Sequence, residues 1–559
     1  MRLSIDESYA GKHVLLTGAS GFLGKVWLTI MLQRDPGVAR YYIVLRRKAT
    51  RTARQRFERI IQTSPAFRPL HERYGKDLAA FINERIELID GDVSSDGLGI
   101  EPETAARLRR DVDLIVHCAG LVDFDPDLRD ALTTNVDGTI CVADFAESCA
   151  KAALLHISTC YVAGTRNGRI AEVLTPNYTP NGEDFDAAAE LVDARARIAE
   201  IEAEFEGPDR AAEIHLHAIK QIRERGRNPD NPKLVKTIAR RIKRQMLKDA
   251  MIEEGQDRAK RRGWTNIYTY TKSLAESVLA PRVDRLRFAI LRPAIVESSL
   301  ADPFPGWNQG FNTCGPLSYM LAGWFRELPL RSGNLFDVVP VDYVCNGMTI
   351  AGAALLQGDH ELIYQCGTSD KNPLAIDRAL DLTGLAHRKH LRRKGDTVVD
   401  RVLLARWDGV ETEIDHTLSI PNIRKVTQGF AKLMRDLPAR WPEAVHERAR
   451  KAADRADELD GDLDTIEHLI DLYLPFIYEN DFVFETNNLL KYDIPEEAFR
   501  FDPKALDWRK YWIDVHIPGL RKWCYPLFEG KTPENYKPRH KFTLDEAPAS
   551  EGQPEGGLR

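Results

Sequence analysis

The sequence has no long apolar run. Nowhere in its 559 residues do about 18 consecutive apolar residues occur, so no membrane-spanning helix is expected. It lacks paired cysteines: eight are scattered without a Cys-x-x-Cys pair, which excludes a disulfide framework and a zinc motif and points to free thiols in a reducing, cytoplasmic compartment. It lacks basic excess, with a formal net charge of -6 and no uniformly basic tail, which argues against a nucleic-acid binder. Met1-Arg2-Leu3-Ser4-Ile5-Asp6-Glu7 has no apolar signal core. Any membrane contact is therefore expected to be peripheral.

What is present is ample core material, 43% hydrophobic residues, in a chain long enough for two or three domains. The first 160 residues alternate short apolar runs with helical stretches. His13–Thr17, Tyr41–Leu45, Glu87–Ile89, Leu114–His117 and Leu154–Ile157 read as strands. Such alternation predicts an α/β fold, a Rossmann-type doubly wound parallel sheet, with ligands outside the carboxyl ends of its strands.

The first of those ends carries Gly18, Gly21 and Gly24 in a GxxGxxG turn that opens a helix. Glycines allow close approach to a pyrophosphate, whose charge sits at a helix N-terminus. The second strand ends in Arg46-Arg47-Lys48, where an acidic residue would serve NAD. Basic residues there suit a 2′-phosphate and hence NADPH. Further along, Tyr268 and Lys272 are four apart and share a helix face, and an ammonium beside a phenol is expected to lower its pKa. Such a phenol serves as a proton donor in hydride transfer. Tyr270 points elsewhere.

The series TGASGFLG, GDV, HCAG, NVDGT, ISTCYV and YTYTK resembles the extended short-chain dehydrogenase/reductase superfamily. The resemblance implies Thr159, Tyr268 and Lys272 as the catalytic set, with Ser158 left open as an alternative to Thr159. It places the pyrophosphate at Gly18, Gly21 and Gly24, adenine at Asp92 and Val93, and the nicotinamide side at Ala119 and Gly120. Thr17, Ser20, Phe22, Leu23, Cys118, Asn135 and Pro293 complete the expected cofactor set, and Lys272 is implied to bond the nicotinamide ribose as well.

RPAIVESS with DPFPGW, at residues 292–307, resembles fatty acyl-CoA reductases, the family that includes the plant male-sterility proteins, as do Phe482–Asn488 and Ala505–Trp512. This implies an NADPH-dependent reductase taking a long-chain acyl-CoA to the aldehyde and on to the alcohol, without a metal. A reductase of carrier-protein thioesters, an epimerase on the same scaffold and a non-catalytic NADPH-binding protein are the alternatives. The aromatic loop is expected to line a substrate mouth. Residues 1–380 are expected to form the catalytic domain, with a charged helical insertion at about 184–262. A mainly helical domain is expected at 385–530 and a disordered tail at 538–559. The basic face of the insertion, Arg240 to Lys248, reads as a solvated hairpin surface in preference to a coenzyme A or membrane contact. The sequence leaves oligomeric state and chain-length preference open.

Overall fold

In the computed structural model, residues 49–50, 311–313, 323–326, 395–409, 413–419, 436–442, 534–535 and 545–559 lie outside the described part of the chain. The expectations for Trp407, for Trp441 and for the tail beyond residue 544 fall there; the earlier part of the tail expected to be disordered from 538 is instead packed, with Phe542 and Leu544 buried and their N–H groups donating to Gln62 and Glu58.

Seven parallel strands form the central sheet: β1 (His13–Thr17), β2 (Arg40–Leu45), β3 (Ile86–Asp90), β4 (Leu114–His117), β5 (Ala153–Ile157), β6 (Phe288–Pro293) and β7 (Ile363–Cys366). Their order is β7-β6-β5-β4-β1-β2-β3, reversing direction between β1 and β4. In register, Thr17 pairs His117, His117 pairs His156, and Ile157 pairs Leu291. The carboxyl ends of β1, β4, β5 and β6 thus finish side by side at the switch point, where open sheets of this kind bind ligands. β1, β4, β5 and β6 are buried almost throughout, as expected for parallel strands covered on both faces.

The helices used below are α1 (Phe22–Arg34), α2 (Ala187–Glu206), α3 (Pro208–Glu224), α4 (Pro232–Arg262), α5 (Ile267–Leu279), α6 (Val341–Gln357) and α7 (Ile376–Lys394). The inserted helices α2, α3 and α4 fill the charged insertion expected at about 184–262. The apolar stripe of α4 packs on α2 and α3, with Ile242 and Met246 against Ile201 and Ile214 and with Ile238 against Ile222. Part of its basic face is paired within the hairpin, Lys243 with Glu206 at 2.6 Å and Arg241 with Gln221 at 2.7 Å.

The segment after Phe482 joins the core of the sheet. Phe482–Phe484 pairs in parallel with Gly168–Ile170. Phe484, Leu489, Tyr511, Trp512 and Trp523 share one buried cluster with Val14, Leu16, Val116 and Leu291. Among the described residues, no helix is long and apolar enough to cross a membrane.

Candidate active site

The glycine loop leaves β1 through Gly18, whose φ of +79° disfavours other residues. A Cβ there would lie 2.5 Å from the Ala119 nitrogen on the neighbouring β4 loop. A Cβ on Gly24 would lie 2.4 Å from the Gly18 carbonyl oxygen, so both positions exclude a side chain. Gly21 caps α1 without a side-chain acceptor, and the first turn of α1 has no acidic residue. Backbone N–H groups at such an end present a partial positive charge to an anion. Ser20, Phe22 and Leu23 are half-buried around it, and Thr17 is fully buried. The Thr17 hydroxyl lies 2.8 Å from His117 Nδ1 and accepts from the Ala119 N–H at 3.3 Å, tying the two loops together.

Lys25 adds a cation to this end, which sequence reading missed. It is 7% exposed, and no carboxylate faces it among the described residues. Burial alone lowers its pKa to about 8. Helical side chains lean toward the N-terminus, so Lys25 reaches back toward the loop. Its sequence signal was a basic residue in the first turn of a helix, where an acidic one favours the dipole.

Across the sheet, Arg46 and Arg47 are exposed at the end of β2. Arg46 lies 3.8 Å from Asp92 and Arg47 2.9 Å from Asp90, so each has a carboxylate beside it on the neighbouring β3 side. Asp92 also accepts from the Ser94 N–H and hydroxyl. Val93 packs beside Gly138.

The tyrosine–lysine side is built on α5. Asn266 caps it, accepting from the Thr269 N–H at 2.9 Å. On its far face the Tyr270 phenol donates to buried Glu190 at 2.8 Å. Arg258 and Arg262 each lie 3.0 Å from the same carboxylate. On its sheet face Glu276 holds Arg292 with two hydrogen bonds. Asn135, in a π-helical turn, accepts from the Leu121 N–H at 2.8 Å and donates to Leu121 O and to the Thr271 hydroxyl. Its amide thereby fixes the loop after β4, with Cys118, Ala119 and Gly120, against α5.

Tyr268 stands on the same side of α5 as Lys272, and the Thr159 hydroxyl acts on its phenol. Thr159 is 5% exposed, accepts from the Tyr161 N–H at 3.2 Å and lies 3.4 Å from the Pro293 carbonyl. The neighbouring Ser158 hydroxyl is buried without a partner. One turn from Tyr268, Lys272 donates to the Ile157 carbonyl at 2.6 Å and lies 3.4 Å from His156 Nε2. The sequence pattern predicted a lowered phenol pKa. In the structure burial pushes Tyr268 upward, against the pull of the Thr159 hydrogen bond, and Lys272 itself is lowered by burial to about 8. Desolvation penalises both charged forms, and the ammonium is directed at a carbonyl. Burial and the Lys272 charge also keep His117, lowered to about 3, and His156 neutral behind the lysine.

The aromatic loop differs from its expected place at an open mouth. Asp342 accepts from the N–H groups of Leu300, Ala301 and Asp302. Trp307 is 3% exposed and packs on Trp523, with ring centroids 5.0 Å apart, and the Arg68 guanidinium lies 4.2 Å over the Phe304 ring. Its rings are covered by the C-terminal helices because apolar rings gain by leaving water. No metal motif is readable in the sequence, yet the fold brings donor atoms of Glu297, Cys314 and His516 within 4.8 Å of one another. Glu297 already accepts from the Cys314 N–H at 2.8 Å and from Asn308 at 3.2 Å, and burial pushes its pKa up to about 7. Those contacts account for it as a hydrogen-bonded core group.

Residues 16–348 match the family described as Male sterility protein. The chain is 28% identical over 524 residues to probable fatty acyl-CoA reductase 4 of Arabidopsis thaliana, covering 91% of this chain and 96% of that one. To the alcohol-forming fatty acyl-CoA reductase of Simmondsia chinensis it is 25% identical over 542 residues, covering 92% and 98%. Among solved structures, the terminal R domain from the myxalamid PKS-NRPS biosynthetic pathway shares the fold, with a TM-score of 0.51 at 16% identity over 94% of this chain and 93% of that one. Running from the first strand through α5 into α6, the family match spans more than half of the sequence, and the chain belongs to the male sterility protein family.

Proposed function

We propose that the protein is an NADPH-dependent fatty acyl-CoA reductase that carries a long-chain acyl-CoA to the fatty alcohol. The observation that carries this reading is the Tyr268–Thr159 hydroxyl pair with Lys272 one turn away, at the strand ends beside an uncapped glycine-loop helix. The curated relatives bear names of the same activity, one of them alcohol-forming. The fit to a dinucleotide rests on the space kept free by Gly18 and Gly24 and on the buried Lys25, which no carboxylate faces among the described residues. Arg46 and Arg47 would take the 2′-phosphate, Gly18 to Lys25 the pyrophosphate, and Lys272 the nicotinamide ribose.

Bound there, NADPH supplies a hydride to the substrate carbonyl. Tyr268 gives its proton to the carbonyl oxygen as charge builds on it. Thr159 donates a second hydrogen bond to that oxygen, and its Oγ is held in place by the Tyr161 N–H. A neutral phenol with a raised pKa keeps its proton until the oxygen becomes basic enough to take it. Lys272 draws the phenolate's charge after transfer. The hemithioacetal hydroxyl proton passes to sulfur as coenzyme A leaves as a thiol, and Tyr268, its proton restored from solvent, would protonate the aldehyde oxygen in the second reduction. A long acyl chain favours retention between the steps, since each buried methylene contributes about 0.8 kcal/mol. We assign residues 1–380 to catalysis and residues 385–530 to covering the acyl chain.

Incubation with palmitoyl-CoA and NADPH, followed by product analysis, tests this. Hexadecanol at two NADPH per coenzyme A released is expected. Hexadecanal accumulating at one NADPH per coenzyme A, with no reduction of added aldehyde, would leave only the first step standing.

A further inference from the structure

A basic cavity of about 700 Å³ opens between the C-terminal half of α7 and the segment Asp507–Asp514. Arg388, Lys389, Arg392, Arg393, Arg509 and Lys510 line it, against only Asp507 and Asp514. Lys389 pairs with Asp514, and Asp507 accepts from the Lys510 N–H at 3.0 Å as a helix cap. Arg392, Arg393, Arg509 and Lys510 have no carboxylate partner among the described residues. Among the described residues the wall thus presents four cations without a carboxylate beside them.

Two ordinary explanations fall short. Cations at the end of α7 complement the helix dipole, but Arg509 and Lys510 come from another element and face the same space. Charged clefts are often self-neutralised, as in the cavity of about 530 Å³ between α2 and α4. There Arg197 and Arg258 pair with Glu200, Glu254 and Asp193. The cavity at α7 has no such balance.

We infer that this cavity takes the 3′-phospho-ADP part of the acyl-CoA, an inference that rests on the acyl-CoA reading of the active site. That group carries roughly four negative charges near neutral pH, with a phosphate monoester at about -1.5 to -2 and a pyrophosphate beside it. The volume lies within the range of small-molecule sites, and arginine forks suit phosphate oxygens. The cavity is also within reach of the chemistry. Tyr511, next to Lys510, donates to the Ser298 carbonyl at 2.6 Å. Ser298 follows Pro293, beside which Thr159 lies, by five residues, a span of about 17 Å at full extension. An extended pantetheine arm is of the same order as that stretch, to which the Tyr511 side chain adds its own length.

The test uses the full chain carrying Arg392→Glu, Arg393→Glu and Lys510→Glu together, all exposed positions whose change leaves the core intact. Palmitoyl-CoA should show a KM raised at least tenfold, whereas hexadecanal, which has no nucleotide, should show no such rise. With the dinucleotide site filled by NADP⁺, calorimetry should find adenosine 3′,5′-bisphosphate binding to the parent and not to the variant. Unchanged bisphosphate affinity and palmitoyl-CoA KM would overturn the assignment. So would a loss of binding to phosphatidylglycerol vesicles with bisphosphate affinity intact, which would make the cavity a membrane contact. Absent turnover together with charge-dependent bisphosphate binding would instead sink the functional reading and support the phosphate site, so the two failures are distinguishable.

Discussion

At Tyr268 two effects oppose each other on one oxygen: burial raises the phenol pKa, and the Thr159 hydrogen bond lowers it. Tyr268→Phe removes the proton donor and should cost 10²–10⁴-fold in turnover while NADPH titrations stay near normal. Tyr270→Phe, its neighbour, removes only a hydrogen bond to Glu190, which keeps Arg258 and Arg262. It should cost about 1–2 kcal/mol of stability, seen as a lower Tm, and leave turnover within a few-fold. Reversed outcomes in the two variants would show that the wrong tyrosine has been assigned. Lys272 sets a pH limit. Its pKa is lowered to about 8, so it is an ammonium below that pH and neutral above it. Because the charged form stabilises the phenolate, kcat/KM should fall as pH rises through about 8. A flat profile from pH 6.5 to 9.5 would remove the lysine from this role. The spacing of Tyr268 and Lys272 was readable from helical periodicity. The pKa directions were not, because desolvation depends on what the rest of the chain packs around them.

Among the elements, the proposed function gives the pyrophosphate to the glycine loop and the 2′-phosphate to the end of β2. Replacing Arg46 and Arg47 with neutral residues should weaken NADPH far more than NADH, by roughly 1.5–3 kcal/mol per lost charged hydrogen bond. An unchanged NADPH to NADH ratio of dissociation constants would mean that other groups read the 2′-phosphate. The strands and the glycine turn were legible because β1, β4 and β5 are short apolar runs ending in turn residues. The role of the insertion was not. Glu190 and Arg258 look like two more charges on charged helices, yet both are about 5% exposed and hold the far face of α5. A buried pair of this kind becomes visible only when two distant helices are brought together.

For the whole molecule, the C-terminal segment completes the core of the sheet. Phe484 and Tyr511 are fully buried, and Trp512 and Trp523 nearly so, in one cluster with the strands. A chain ending before Phe482 would leave that apolar surface bare, at about 25 cal/mol per Å² exposed. It should fail to give a folded, NADPH-binding protein. A monodisperse truncated chain with native circular dichroism and normal NADPH affinity would show that the catalytic part folds by itself.

The sequence alone determined the parallel α/β framework, the glycine loop and the tyrosine–lysine pair, because short apolar runs, the 3.6-residue helical period and turn residues act over short distances. It also pointed to the family, since PFPGW and its flanking residues stand together in the chain. Tertiary structure decided where that loop went: Trp307 is under Trp523, more than two hundred residues away in sequence. It also decided that Lys25 is buried with no anion facing it among the described residues, that Glu297, Cys314 and His516 meet, and that six cations from α7 and the Asp507–Asp514 segment line one cavity. Burial and charge balance are sums over neighbours in space, and in this fold those neighbours come from opposite ends of the chain.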